Sequence, residues 1–116
     1  MAYILYGIPN CNTVKKAQTW LTENGVDFKF HNFKKDGLSK EKVDSWLSQE
    51  SYEVLINKKG TTYRKLSAGE KDALDNNAAA AELMLANASV IKRPVLELDE
   101  KVISVGFTPE LYEGIF

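Results

Sequence analysis

The chain has 116 residues, of which 44% are hydrophobic and 27% charged, with a formal net charge of −1 and a pI of about 5.8. These values fit one soluble globular domain with an ordinary packed core and exclude a global basic field aimed at nucleic acid or anionic membrane. No apolar run approaches the roughly 20 residues that span a bilayer, and Met1-Ala2-Tyr3-Ile4-Leu5 carries no charged leader or cleavage pattern. Its single cysteine cannot form an internal disulfide, so a reducing cytoplasm is the expected compartment.

In chain order, Tyr3-Ile4-Leu5-Tyr6 predicts a short buried strand and Gly7-Ile8-Pro9-Asn10 a turn. From Asn12 the apolar residues Val14, Ala17, Trp20 and Leu21 recur at three- and four-residue spacing. This predicts a helix that stops at Gly25. Val26 to His31 alternates apolar and polar and predicts a second strand, so the segment reads as a right-handed βαβ unit. Lys34-Lys35-Asp36-Gly37 predicts a polar turn. Ser39 is a good N-cap for a helix running to Gln49 with Val43, Trp46 and Leu47 on one face. Tyr52–Ile56 suits a further helical turn.

Lys58-Lys59-Gly60-Thr61-Thr62 reads as a basic loop. Ser67 opens a short polar helix ending near Leu74, and Ala78 to Ala86 a longer one, since alanine is the best helix former. Val95–Leu98 and Val102–Val105 predict an antiparallel hairpin. Thr108 and Pro109 predict the cap and first position of a last helix. The order β-α-β, helical block, β-β-α predicts an α/β, thioredoxin-like fold, with a ferredoxin-like or flavodoxin-like arrangement as the alternative: one domain over residues 1–116, a mixed four-stranded sheet, and a helical insertion over about residues 36–88.

Cys11 falls at the junction of the first loop and the first helix. Backbone N–H groups and the positive end of the helix dipole face such a position, and Lys15 and Lys16 lie one turn further on. These surroundings lower a thiol pKa and favour the nucleophilic thiolate. Asn12 and Thr13 are expected to bring backbone N–H groups near the sulfur, and Lys15 to help hold an anion. His31 is the sole histidine, so no Cys/His metal site is expected. Lys58, Lys59, Arg64 and Lys65 form a basic stretch that suits an anionic tripeptide or a protein partner.

The run from Tyr6 to Ala17 (YGIPNCNTVKKA) resembles the active-site loop of the arsenate reductase-like (ArsC/Spx/YffB) family of thioredoxin-fold proteins, and Ile91–Leu96 (IKRPVL) resembles that family's Arg-Pro segment. Asn57–Leu66 and the ending Val105-Gly106-Phe107 look closest to the YffB subgroup, with Spx-type regulators next. The resemblance implies Cys11 as nucleophile, Arg93 as an anion-binding residue beside it, and Pro94 after a cis peptide bond that backs an extended thiol substrate. Glutaredoxin-coupled arsenate reductases of the family surround the cysteine with three arginines. Arg93 matches one, whereas Asn57 and Gly106 stand at the others. Asparagine donates a hydrogen bond without charge, so arsenate reduction is the weakest expectation.

Where the regulators often carry Cys-x-x-Cys, Val14 stands at the fourth position. A single-cysteine reductase or transferase is therefore expected, with no bound cofactor and glutathione as co-substrate. Its partners would be glutathione or a small thiol or disulfide, and it would act as a monomer without nucleic acid or membrane. The alternative is a non-catalytic protein-binding module related to Spx.

Overall fold

The computed structural model describes residues 3–116. Four strands form one sheet: β1 (Tyr3–Gly7), β2 (Phe28–Asn32), β3 (Val95–Leu98) and β4 (Lys101–Val105), in the order β2-β1-β3-β4. β1 and β2 are parallel, while β3 is antiparallel to both β1 and β4. This is the mixed sheet of the thioredoxin-like fold, and the hairpin and βαβ unit read from the sequence are both present.

The helix α1 (Asn12–Glu23) links the parallel strands. Val14, Ala17 and Leu21, three and four residues apart, are fully buried. Leu5, Ala17, Leu21, Leu96 and Tyr112 make a core between the sheet and the helices, with Trp20, Phe28, Phe30 and Phe107 packed against it. Each large side chain so buried contributes about 1.5–3 kcal/mol. Gly25 has φ +69° and ends the helix as expected. The following strand starts at Phe28 rather than Val26, because the Val26 N–H is taken by the carbonyl of Leu21 at 2.9 Å.

Residues 34–37, expected as a polar turn, belong instead to a one-turn helix, α2 (Phe33–Asp36), that ends at Gly37. Asn32 nucleates it: its Oδ1 accepts from the N–H groups of Lys34 (2.9 Å) and Lys35 (3.4 Å), while its own N–H donates to Asp36 Oδ2 at 3.0 Å. Buried Phe33 anchors the turn.

The chain divides into two compact units: the described residues up to Gly37 together with Arg93–Phe116, and Leu38–Lys92. The second is wholly helical apart from one isolated bridge between Ile56 and Ile91. It holds α3 (Lys40–Gln49), α4 (Tyr52–Leu55), α5 (Thr61–Arg64), α6 (Ala68–Ala73), α7 (Asn77–Ala86) and a 3-10 turn at Ala88–Val90. Ser39 caps α3 through Lys42 N–H, and Ser67 and Glu70 form a reciprocal capping box at α6. The basic loop expected over 58–62 is shorter than read, since Thr61 and Thr62 already lie in α5. No helix among the described residues is long and apolar enough to cross a membrane.

The hairpin between β3 and β4 closes on Asp99 and Glu100, at φ +51° and +67°. Positive φ at both positions is the type I′ arrangement, which favours Asn-Gly, and a glutamate there is strained. Replacing Asp99-Glu100 by Asn-Gly is expected to raise stability by about 1 kcal/mol. The check is a higher urea midpoint at unchanged m-value. The last helix, α8 (Pro109–Glu113), is capped by Thr108 Oγ1, which accepts from Leu111 N–H at 3.0 Å.

Candidate active site

Cys11 occupies the N-cap of α1 with extended backbone, φ −104° and ψ 120°, and its carbonyl accepts the first intrahelical hydrogen bond from Lys15 N–H at 3.0 Å. The first turn of α1 lies hard against the end of β1. A Cβ on Gly7 would sit 2.8 Å from Val14 Cγ2, so only glycine lets β1 and the helix start approach this closely. That approach fixes where the N–H groups of the first turn point.

Arg93, half-buried on the segment entering β3, hydrogen-bonds the sulfur. The Arg93–Pro94 peptide bond is cis, as the resemblance implied. Pro94 is buried, and its carbonyl accepts from Gly106 N–H at 2.8 Å, which fastens this segment to the end of β4.

Cys11 is half-buried. Burial pushes its thiol up, but the opposing influences together win and hold it below the ordinary thiol value. They are the Val14 N–H, the Arg93 guanidinium by hydrogen bond and then by charge, and the Thr13 N–H. No helix N–H makes a capping hydrogen bond to the side chain as it stands. These donors face Sγ and favour its charged form. The arrangement sets N–H donors and one guanidinium about a half-buried thiol, surroundings that favour its charged form.

The profile of the ArsC family matches residues 6–115. The chain belongs to the ArsC family. It is 37% identical over 112 residues to an uncharacterized protein of Haemophilus influenzae, covering 97% of this chain and 96% of that one. It is 29% identical to the global transcriptional regulator Spx of Lactiplantibacillus plantarum, covering 92% and 80%. Among solved structures, the YffB protein superposes with a TM-score of 0.88 at 45% identity, covering 97% of each chain. An arsenate reductase (ArsC) related protein from Brucella melitensis superposes with a TM-score of 0.83 at 48% identity, covering 98% of this chain and 93% of that one. ArsC-family relatives thus include both reductase-related proteins and regulators.

Of the ArsC-like site residues read from the sequence, Cys11, Thr13 and Arg93 come together at the start of α1, with Pro94 next to Arg93. Asn12 and Lys15 are exposed on α1. Asn57 lies in the 38–92 unit, where its side chain shapes its own turn: Oδ1 accepts from Lys59 N–H at 3.3 Å and its backbone N–H donates to the carbonyl of Val90 at 2.8 Å. Gly106, at the remaining family arginine position, has φ +82°.

Sequence reasoning missed the Val14 N–H, because periodicity assigned Val14 only to the core. It also missed Glu97, read as an ordinary strand residue. This carboxylate is 1% exposed and accepts from the Tyr6 hydroxyl at 3.1 Å. Among the described residues no group of three or more His, Cys, Asp or Glu side chains is arranged to hold a metal ion.

Proposed function

We propose that the chain is a single-cysteine thiol reductase or transferase that uses glutathione and works in a reducing cytoplasm as a monomer. The observation that carries this is the placement of Cys11 between the first-turn N–H groups of α1 and the Arg93 guanidinium.

The Cys11 thiolate attacks one sulfur of a disulfide. A new S–S bond to Cys11 forms, the old S–S bond breaks, and the departing thiolate leaves with the electron pair and takes a proton from solvent. With no second cysteine in the chain, the mixed disulfide is resolved from outside. One glutathione thiolate displaces the Cys11 thiolate, and a second glutathione releases the bound half as a thiol. The net change is one substrate disulfide reduced to two thiols and two glutathiones oxidised to one glutathione disulfide. Arg93 and the helix N–H groups hold the developing thiolate or a substrate carboxylate.

The test is turnover of 2-hydroxyethyl disulfide with glutathione, followed by coupled reductant consumption, together with intact mass of the protein after one turnover. Catalysis above the uncatalysed exchange and a mixed-disulfide adduct on Cys11 are expected. Background rates with an unlabelled cysteine would overturn the reading.

The similarity to Spx supports a second reading, a protein-docking module using the basic Lys58, Lys59 and Arg64, all exposed. Partner capture that survives loss of the thiol but not of these cations would favour it. Arsenate reduction has the least support. Asn57 and Gly106 supply no cation, and arsenate-dependent glutathione oxidation is expected to stay at background.

A further inference from the structure

A groove of about 420 Å³ runs along α1 within the sheet-bearing unit. Its floor is aromatic, made by Trp20 and Phe107, and its helix side is made by Lys15, Lys16, Thr19 and Glu23. Within α1, Lys15, Thr19 and Glu23 follow one another at four-residue intervals, so they form one row on the helix surface, with side chains leaning back toward the N-terminus. Cys11, the N-cap of α1, precedes the first residue of this row by four positions. Lys15 is about 6 Å along the axis from it, at 1.5 Å per residue.

Three features select an occupant. The volume is that of a small-molecule site. The partly buried Trp20 and Phe107 give the lining an aromatic surface suited to a planar aromatic group. The charge is polarised: both lysines lie at the Cys11 end, exposed and with no ion pair to any described residue, and Glu23 lies at the far end. An anionic group is thus welcome near the thiol and repelled from the distal end.

We propose that this groove receives the aromatic, carboxylate-bearing half of a small disulfide whose sulfur is attacked by Cys11, making aryl acids the preferred substrate class. The inference rests on Cys11 being the attacking thiolate, and the test keeps the two apart.

Single-turnover reaction of the intact protein is followed with 5,5′-dithiobis(2-nitrobenzoate), with neutral 4,4′-dithiodipyridine, and with iodoacetamide. Thr19 is exposed, and Thr19→Trp lays an indole over the turn toward Cys11. This variant should slow both aryl disulfides about tenfold, the effect of displacing roughly 1.4 kcal/mol of ring burial. The iodoacetamide rate should stay within about twofold, which also reports an intact fold and site. Lys16→Gln should slow the nitrobenzoate probe severalfold and leave the neutral pyridine probe unchanged. Equal slowing of all three reagents by Thr19→Trp, or no slowing of the aryl disulfides, would overturn the groove assignment. Indifference of the nitrobenzoate rate to Lys16→Gln would overturn the preference for acids. Failure of wild type to react with iodoacetamide faster than a free thiol at neutral pH would instead remove the underlying reading of Cys11.

Discussion

Cys11→Ser is expected to abolish glutathione-supported disulfide turnover, and Arg93→Met to move the pH profile of Cys11 upward so that it crosses the wild-type profile. The first part follows from composition, because no other sulfur nucleophile exists in the chain to replace Cys11. The second follows from the site. Burial opposes the thiolate, and the Arg93 hydrogen bond and charge act with the Val14 and Thr13 N–H groups to outweigh it. Without the guanidinium the thiol titrates at higher pH.

Below both midpoints each tenfold loss of thiolate slows attack. The more basic thiolate is intrinsically the better nucleophile, with a Brønsted slope of about 0.4–0.5, so the net loss is about three- to fourfold for each tenfold. Above both midpoints the populations are equal and the variant should be faster by a similar factor. Single-turnover rates with 2-hydroxyethyl disulfide, measured across pH, give both limbs. A profile lowered by the same factor at every pH, with no crossing, would mean that Arg93 orients substrate without holding the thiolate.

The sequence made one side of this site plain and hid the other. Strand, turn and helix periodicity place Cys11 at a helix start, and a helix start has the same donors in every fold. Arg93 lies 82 residues away, and nothing local in Ile91–Leu96 says that it will face a thiol. That link came from resemblance, and the antiparallel pairing of β1 with β3 is what produces it. Val14 shows the converse. Its side chain follows helical spacing into the core, so the pattern captures its burial and passes over its backbone N–H. The one-turn helix α2 escapes the pattern for the same reason. In α2 the decisive feature is Asn32 bonding to Lys34 and Lys35, a side-chain to backbone bond that hydrophobic periodicity does not register. The groove along α1 is likewise invisible, because Trp20 reads as a core residue and Phe107 only as part of the family ending. In the structure both are partly buried against the core and line the groove.

The strands that carry the two halves of the site are tied together by the buried Tyr6–Glu97 pair, and this tie sets the second large effect. Ile4 pairs with Glu97 and Tyr6 with Val95, so Tyr6 and Glu97 are diagonal neighbours on one face of β1 and β3. They are 4% and 1% exposed, and the hydroxyl donates at 3.1 Å. Burial first, then the charge and hydrogen bond of Glu97 and the charge of Glu100, push the Tyr6 hydroxyl far above the ordinary phenol value. It therefore remains a donor through the working pH range. Tyr6→Phe takes a donor from a buried carboxylate, and Glu97→Leu takes an acceptor from a buried hydroxyl. Each is expected to cost about 1–3 kcal/mol.

The double variant removes both polar groups and should lose less than the sum of the two, by a coupling of about 1–3 kcal/mol in urea unfolding. The pH sign is fixed by the raised hydroxyl. The unfolded tyrosine ionises near pH 10 while the folded one does not, so wild type loses stability relative to Tyr6→Phe as pH climbs past about 10. Additive single effects, or a gap that widens at high pH, would show that the two residues do not act as a unit. The pH profile of Cys11 should stay unchanged in Tyr6→Phe. That outcome separates the bond joining the two strands from the donors that face the sulfur.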